Sequence, residues 1–167
     1  MQQRAMRIRR ALIPLVAVFL TSLAAAPTSA HQTPQQRRDY ERLSGEWQLT
    51  RAVVNGKQLP ESQARHTVLI TDGDTFRFPQ ASGVATHSAG RFVVYPLRNP
   101  KQVDSYAIGG KNAGQLTRGI YEIIDATHKR ACWAPPGKAR PTSFESPAGS
   151  DFICQYWSKI GPIPKSR

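Results

Sequence analysis

The chain has 167 residues, 23 of them basic and 11 acidic, for a formal charge of +12. Its length allows one compact domain once an N-terminal export segment is set aside. The basic residues are scattered and do not interleave with aromatic ones, which excludes nucleic acid as the partner, and no second apolar run is long enough to cross a membrane.

Residues 1–30 read as a signal peptide. Arg4, Arg7, Arg9 and Arg10 form a basic start, and the run from Ala11 to Ala26 holds no charged residue. That run is shorter than a membrane span needs and suits an export signal. Thr28-Ser29-Ala30 places small residues where a signal peptidase reads, so cleavage is expected after Ala30. The mature chain would then have 137 residues and a net charge of +8, because four arginines and no acid leave with the signal. The expected location is periplasmic or extracellular, and the expected state is a monomer without a membrane span.

Residues 31–39 are polar and contain Pro34, and they read as a flexible lead. Asp39 to Ser44 is expected as a short helical turn. From Glu46 onward, short runs rich in β-branched and aromatic residues alternate with Gly, Pro, Asn and Asp. Strands are expected over Glu46–Val54, His66–Thr71, Thr75–Phe78, Val84–Thr86, Arg91–Tyr95, Val103–Ile108, Gln115–Ile124, Lys129–Ala134 and Phe152–Ser158. Asn55-Gly56 and Asp72-Gly73-Asp74 supply the positive φ of tight turns, and Pro60 to Gln63 can start one helical turn. An all-β antiparallel up-and-down barrel of eight or nine short strands follows, since a meander of this length avoids exposed edges by closing. The domain is expected to span residues 40–160, with 161–167 as a flexible basic tail.

Alternation along the strands gives a provisional inner face. Trp47, Leu49, Arg51 and Val53 share one side of the first strand, and Phe76 with Phe78, or Phe92 with Val94, do so later. Trp47, Phe76, Phe78, Phe92 and Tyr121 are the candidate lining of an interior binding space. Arg51 has two readings: an enclosed guanidinium that holds a ligand carboxylate, or a residue that a bulge turns to solvent.

Cys132 and Cys154 are the only cysteines, and an exported protein can keep them as a disulfide worth about 3 kcal/mol in the chain-entropy model. Whether they pair depends on strand register and face. Two isolated cysteines do not by themselves make a zinc site. His66, His87 and His128 are scattered at strand ends, the acids fall mostly in turns, and no nucleophile-elbow, metalloprotease or phosphate-loop motif occurs. No catalytic residue, metal or cofactor is implied.

Four motifs carry a resemblance: Leu43-Ser44-Gly45-Glu46-Trp47; Val54-Asn55-Gly56-Lys57-Gln58-Leu59-Pro60; Gly119-Ile120-Tyr121-Glu122-Ile123; and Cys132-Trp133-Ala134-Pro135-Pro136-Gly137-Lys138-Ala139-Arg140-Pro141. In this order, over about Tyr40 to Lys159, the chain resembles the lipocalin-like domain family of small exported bacterial proteins abundant in planctomycetes. The resemblance implies a barrel with Trp47 at its floor and a later basic residue over that tryptophan, for which Lys159 and Arg118 are the candidates. It implies no reaction. Two functional expectations follow: non-enzymatic binding of a small apolar or amphipathic ligand, or an envelope interaction module that meets an anionic polymer or partner protein through basic residues and the loop from Ala134 to Ser150.

Overall fold

The computed structural model describes residues 32–79, 89–109 and 113–165. Among the described residues nine strands run in chain order: β1 (Gly45–Val54), β2 (Lys57–Gln58), β3 (Val68–Asp72), β4 (Thr75–Arg77), β5 (Ala89–Tyr95), β6 (Gln102–Ala107), β7 (Leu116–Ile123), β8 (His128–Trp133) and β9 (Ile153–Gly161). Each pairs antiparallel with its neighbour in the order β1-β3-β4-β5-β6-β7-β8-β9, and β9 returns to pair with β1. The result is a closed eight-stranded up-and-down barrel, and closure leaves none of these eight strands as an edge. β2 is a two-residue addition that folds back on the end of β1 through Asn55-Gly56, whose φ values of 49° and 81° suit a tight hairpin. The expected strand at Val84–Thr86 lies outside the described residues.

Register explains the inner face. Along β8, Lys129, Ala131 and Trp133 point inward while His128, Arg130 and Cys132 point out, as period-two geometry requires. β1 breaks this rule midway. The register against β9 shifts between Leu49 and Arg51, so Trp47 and Leu49 face inward before the bulge and Ala52 after it.

The segment before β1 differs from expectation. Instead of a flexible lead followed by one turn, Pro34–Leu43 is a ten-residue helix, α1. Thr33 caps it: its hydroxyl accepts from the Gln36 amide at 3.1 Å while the Gln36 side chain accepts from the Thr33 N–H at 2.9 Å, a reciprocal capping box with Pro34 at the first helical position. The folded domain therefore starts near Thr33 rather than Tyr40. α1 lies across one end of the barrel. Tyr40 Oη donates to the Phe92 carbonyl at 3.1 Å, and the Gln36 side chain donates to the Val94 carbonyl at 2.9 Å. Asp39, 5% exposed, accepts from Tyr121 Oη at 2.6 Å and from Lys101 Nζ at 2.7 Å. A buried carboxylate is tolerable because both bonds serve it. A second short helix, α2 (Glu61–Ala64), fills the β2–β3 connection. Among the described residues no helix is long and apolar enough to cross a membrane.

Cys132 and Cys154 form a disulfide. They stand directly opposite each other on β8 and β9 with Cα atoms 4.0 Å apart, so both side chains share one face. That face is the outer wall. Ile120, Cys132 and Cys154 make a small cluster outside the barrel, covered by Phe144 and Phe152 of the long β8–β9 connection. Arg140 fastens the same connection further along, donating to the carbonyls of Val103 at 2.7 Å and Gly119 at 2.6 Å and pairing with Asp104 at 2.5 Å. The proline-rich stretch is thus a strap held against the wall.

Candidate functional site

Inside the barrel is a cavity of about 270 Å3, lined by Leu43 of α1 toward one end and by Pro135, Pro136 and Asp151 toward the other. Its size lies near the lower bound of the roughly 300–1,000 Å3 typical of ligand pockets. Phe76 and Phe92 form its apolar wall with Phe78, their ring centroids 6.1 to 6.5 Å apart in tilted or edge-on pairs. Trp133 crosses the opposite wall. It can do so because residue 119 is glycine: a Cβ there would sit 2.5 Å from the Trp133 ring.

Four of the six sequence candidates, Phe76, Phe78, Phe92 and Tyr121, come together as lining. Trp47 lies beneath the cavity rather than on its surface. It is fully buried, and its indole N–H donates to the Leu43 carbonyl at 2.8 Å, which ties the floor to α1. Arg51 is a correction. The bulge after Leu49 turns it to the exterior, where its guanidinium lies 5.2 Å from the centroid of the Tyr156 ring. It faces solvent and cannot reach a molecule in the barrel.

The Tyr121 phenol is directed away from the cavity to Asp39. Burial first, and then the hydrogen bond to that carboxylate, push its ionisation far above the ordinary tyrosine range. It therefore stays a neutral donor. Of the two basic candidates for the floor, Lys159 takes the place: its Nζ sits 4.8 Å from the Trp47 ring centroid and donates to the Ser44 carbonyl at 2.8 Å. Arg118 is on the outside of β7 and exposed.

Sequence reasoning missed the most unusual lining residue, Lys129. It is 7% exposed, and its Nζ is 4.0 Å from the centroid of the same Trp47 ring. Among the described residues it has no ion pair and no hydrogen bond. Burial, and secondarily the charge of Lys159, hold its amine well below the usual lysine range. Gln155, 6% exposed, belongs to the same inner wall one strand away, because Ala131 pairs with Gln155 and Lys129 with Trp157. Ser105 and Thr117 face each other across β6 and β7 higher in the cavity. The signal for Lys129 was available: once Trp133 is assigned to the interior, alternation sends Lys129 there too.

Four of the acids are engaged elsewhere. Asp125 caps its own turn, accepting from the Thr127 amide at 2.6 Å and the His128 amide at 2.8 Å, and these bonds lower its pKa to about 2. Asp74 pairs with Arg91, Asp104 with Arg140, and Glu122 with Arg130. Among the described residues no cluster of three or more His, Cys, Asp or Glu could hold a metal ion. No protein-family profile, no curated protein and no solved structure matches this chain.

Proposed function

We propose that the chain is an exported, non-enzymatic lipocalin-like binding protein that carries a small apolar or amphipathic molecule inside its barrel. The observation that carries this reading is the 270 Å3 interior cavity with its aromatic wall of Phe76, Phe78 and Phe92. Small barrels pack their interiors with side chains unless they hold a ligand. Apolar walls with a few convergent polar groups are what a ligand with a long apolar part and one polar end requires.

The alternative, an interaction module that uses the loop from Ala134 to Ser150, draws less support. Much of that loop is spent on the barrel wall, with Arg140 occupied by two carbonyls and Asp104 and with Phe144 packed over the disulfide.

Native mass spectrometry of protein purified from its own cell envelope should retain a bound small molecule. Displacement of a fluorescent naphthylamine probe should saturate with one site per chain, and Ala131→Phe, which fills the cavity from β8, should abolish it. Probe binding that survives Ala131→Phe would place the binding outside the barrel and defeat the carrier reading.

A further inference from the structure

We infer that the cavity is built for a carboxylic acid amphiphile, whose carboxylate docks on Lys129 at the Trp47 end while its chain runs up between the phenylalanines toward Pro135 and Pro136. This rests on the carrier reading and adds the ligand's head group and its direction of entry.

The reasoning starts from an amine that the fold leaves without a partner. Lys129 is more than nine-tenths buried and borders the cavity. A buried ammonium is ordinarily paired with an acid. Among the described residues no acid pairs with it: Asp39 is bonded to Tyr121 and Lys101, Asp104 to Arg140, and Asp151 lines the cavity from the β8–β9 connection. The other charged group close to Lys129 is Lys159, a like charge whose Nζ is already tied to the Ser44 carbonyl. Tyr121 turns its hydroxyl to Asp39, and His128 and Arg130, the neighbours of Lys129 on β8, point outside. A head group at this spot thus meets cations and one amide and no competing anion.

Gln155 completes the cradle. Its side chain lies on the same inner wall, is buried and makes no hydrogen bond among the described residues. Its NH2 can donate to the second carboxylate oxygen. An alcohol would satisfy one of these groups, whereas a carboxylate satisfies both and supplies the missing negative charge. An amine ligand would meet two lysines and is disfavoured.

The proton balance follows from the environment. Burial, and after it the charge of Lys159, disfavour the ammonium, and a carboxylate beside the amine favours it. Acid binding therefore raises the proton affinity of Nζ: where the amine is neutral before binding it takes a proton from solvent, one N–H bond forms, no bond of the ligand breaks, and an ion pair results. Acid binding becomes coupled to pH, and an uncharged analogue is not coupled.

The experiment is calorimetric titration of the full mature protein with decanoate, decanol and decylamine in buffers of differing ionisation enthalpy, repeated on Lys129→Met. Decanoate should bind at least about tenfold more tightly than decanol, the gain expected for one charge-assisted hydrogen-bonded pair. Its affinity relative to decanol should fall as pH rises through the titration of the amine, and Lys129→Met should erase both the acid preference and its pH dependence. Equal affinity for acid and alcohol, an acid preference that survives Lys129→Met, or an acid preference that grows as pH rises would each overturn the inference and leave the carrier reading standing. If neither decanoate nor decanol binds, the carrier reading falls and takes this one with it.

Discussion

Replacing Lys129 with methionine should make the ligand-free protein more stable, by an amount that depends on pH in a defined way. Two effects oppose each other at this amine. The Trp47 ring, 4.0 Å from Nζ, favours the cation by about 0.5–2 kcal/mol. Removing an ammonium from water costs several kcal/mol, and Lys159 adds repulsion, so burial wins and the folded-state pKa is depressed. Above pH 10.5 the amine is neutral in both states and carries no penalty. As pH falls below 10.5 the unfolded chain takes a proton that the folded chain refuses, and wild type loses about 1.4 kcal/mol per pH unit relative to the variant. The loss levels off once the folded amine also protonates. In thermal terms each kcal/mol is worth about 4 °C for a domain of this size. Chemical unfolding followed by tryptophan fluorescence at pH steps from 10.5 to 7 measures the difference, because titrating groups not coupled to Lys129 cancel between the two proteins. A difference that stays flat over this range, or a wild type more stable than the variant at pH 7, would refute the account of Lys129 as a buried and unpaired amine.

Three further outcomes follow from other parts of the molecule. Replacing both Cys132 and Cys154 with alanine opens a link between residues 22 apart in sequence, and denaturant titration should show a loss of about 3 kcal/mol without loss of the barrel's circular dichroism; no loss would mean that the β8–β9 ladder and the strap hold these strands without help from the bond. Arg140→Ala leaves Asp104 half of a broken pair and frees two carbonyls, so it should cost about 2–4 kcal/mol and raise hydrogen exchange across 134–151 selectively; unchanged exchange there would deny Arg140 its fastening role. Arg51→Ala should leave ligand affinity within twofold of wild type, because the bulge has turned that side chain out of the barrel, and a tenfold loss in a titration would return it to the site.

The barrel was legible because its signals are local and repeated. Asn55-Gly56, the Asp72–Asp74 turn and the alternation around Phe76 and Phe92 each demand a strand end or a strand face, and eight such signals in sequence leave little choice but closure. Helix α1 was equally legible and was passed over: Thr33-Pro34-Gln35-Gln36 is a capping box with proline at the first position, outweighed in the reading by its polar composition. Arg51 could not be placed, since a bulge depends on the partner strand, and β9 is more than a hundred residues away. The disulfide was undetermined for the same reason, as only the β8–β9 register puts both sulfurs on one face. Lys129 was lost to a general expectation that lysine belongs in solvent. A correct fold combined with a rule about composition hid the residue that the site turns on.

The pairing of β1 with β9 joins Glu46 to Gly161 and Val54 to Ile153. The seam of the barrel is therefore made by the first and last strands of the domain, across the longest loop the chain can close. Loop-closure entropy for that seam is met before any of its contacts form, so acquisition of the native state is a slow, non-local event of the millisecond-to-second kind. A chain shortened before Ile153 has no seam at all and exposes two raw sheet edges, where self-association begins. Until the final strand arrives there is no enclosed interior, and the amine of Lys129 stands in water like any other lysine.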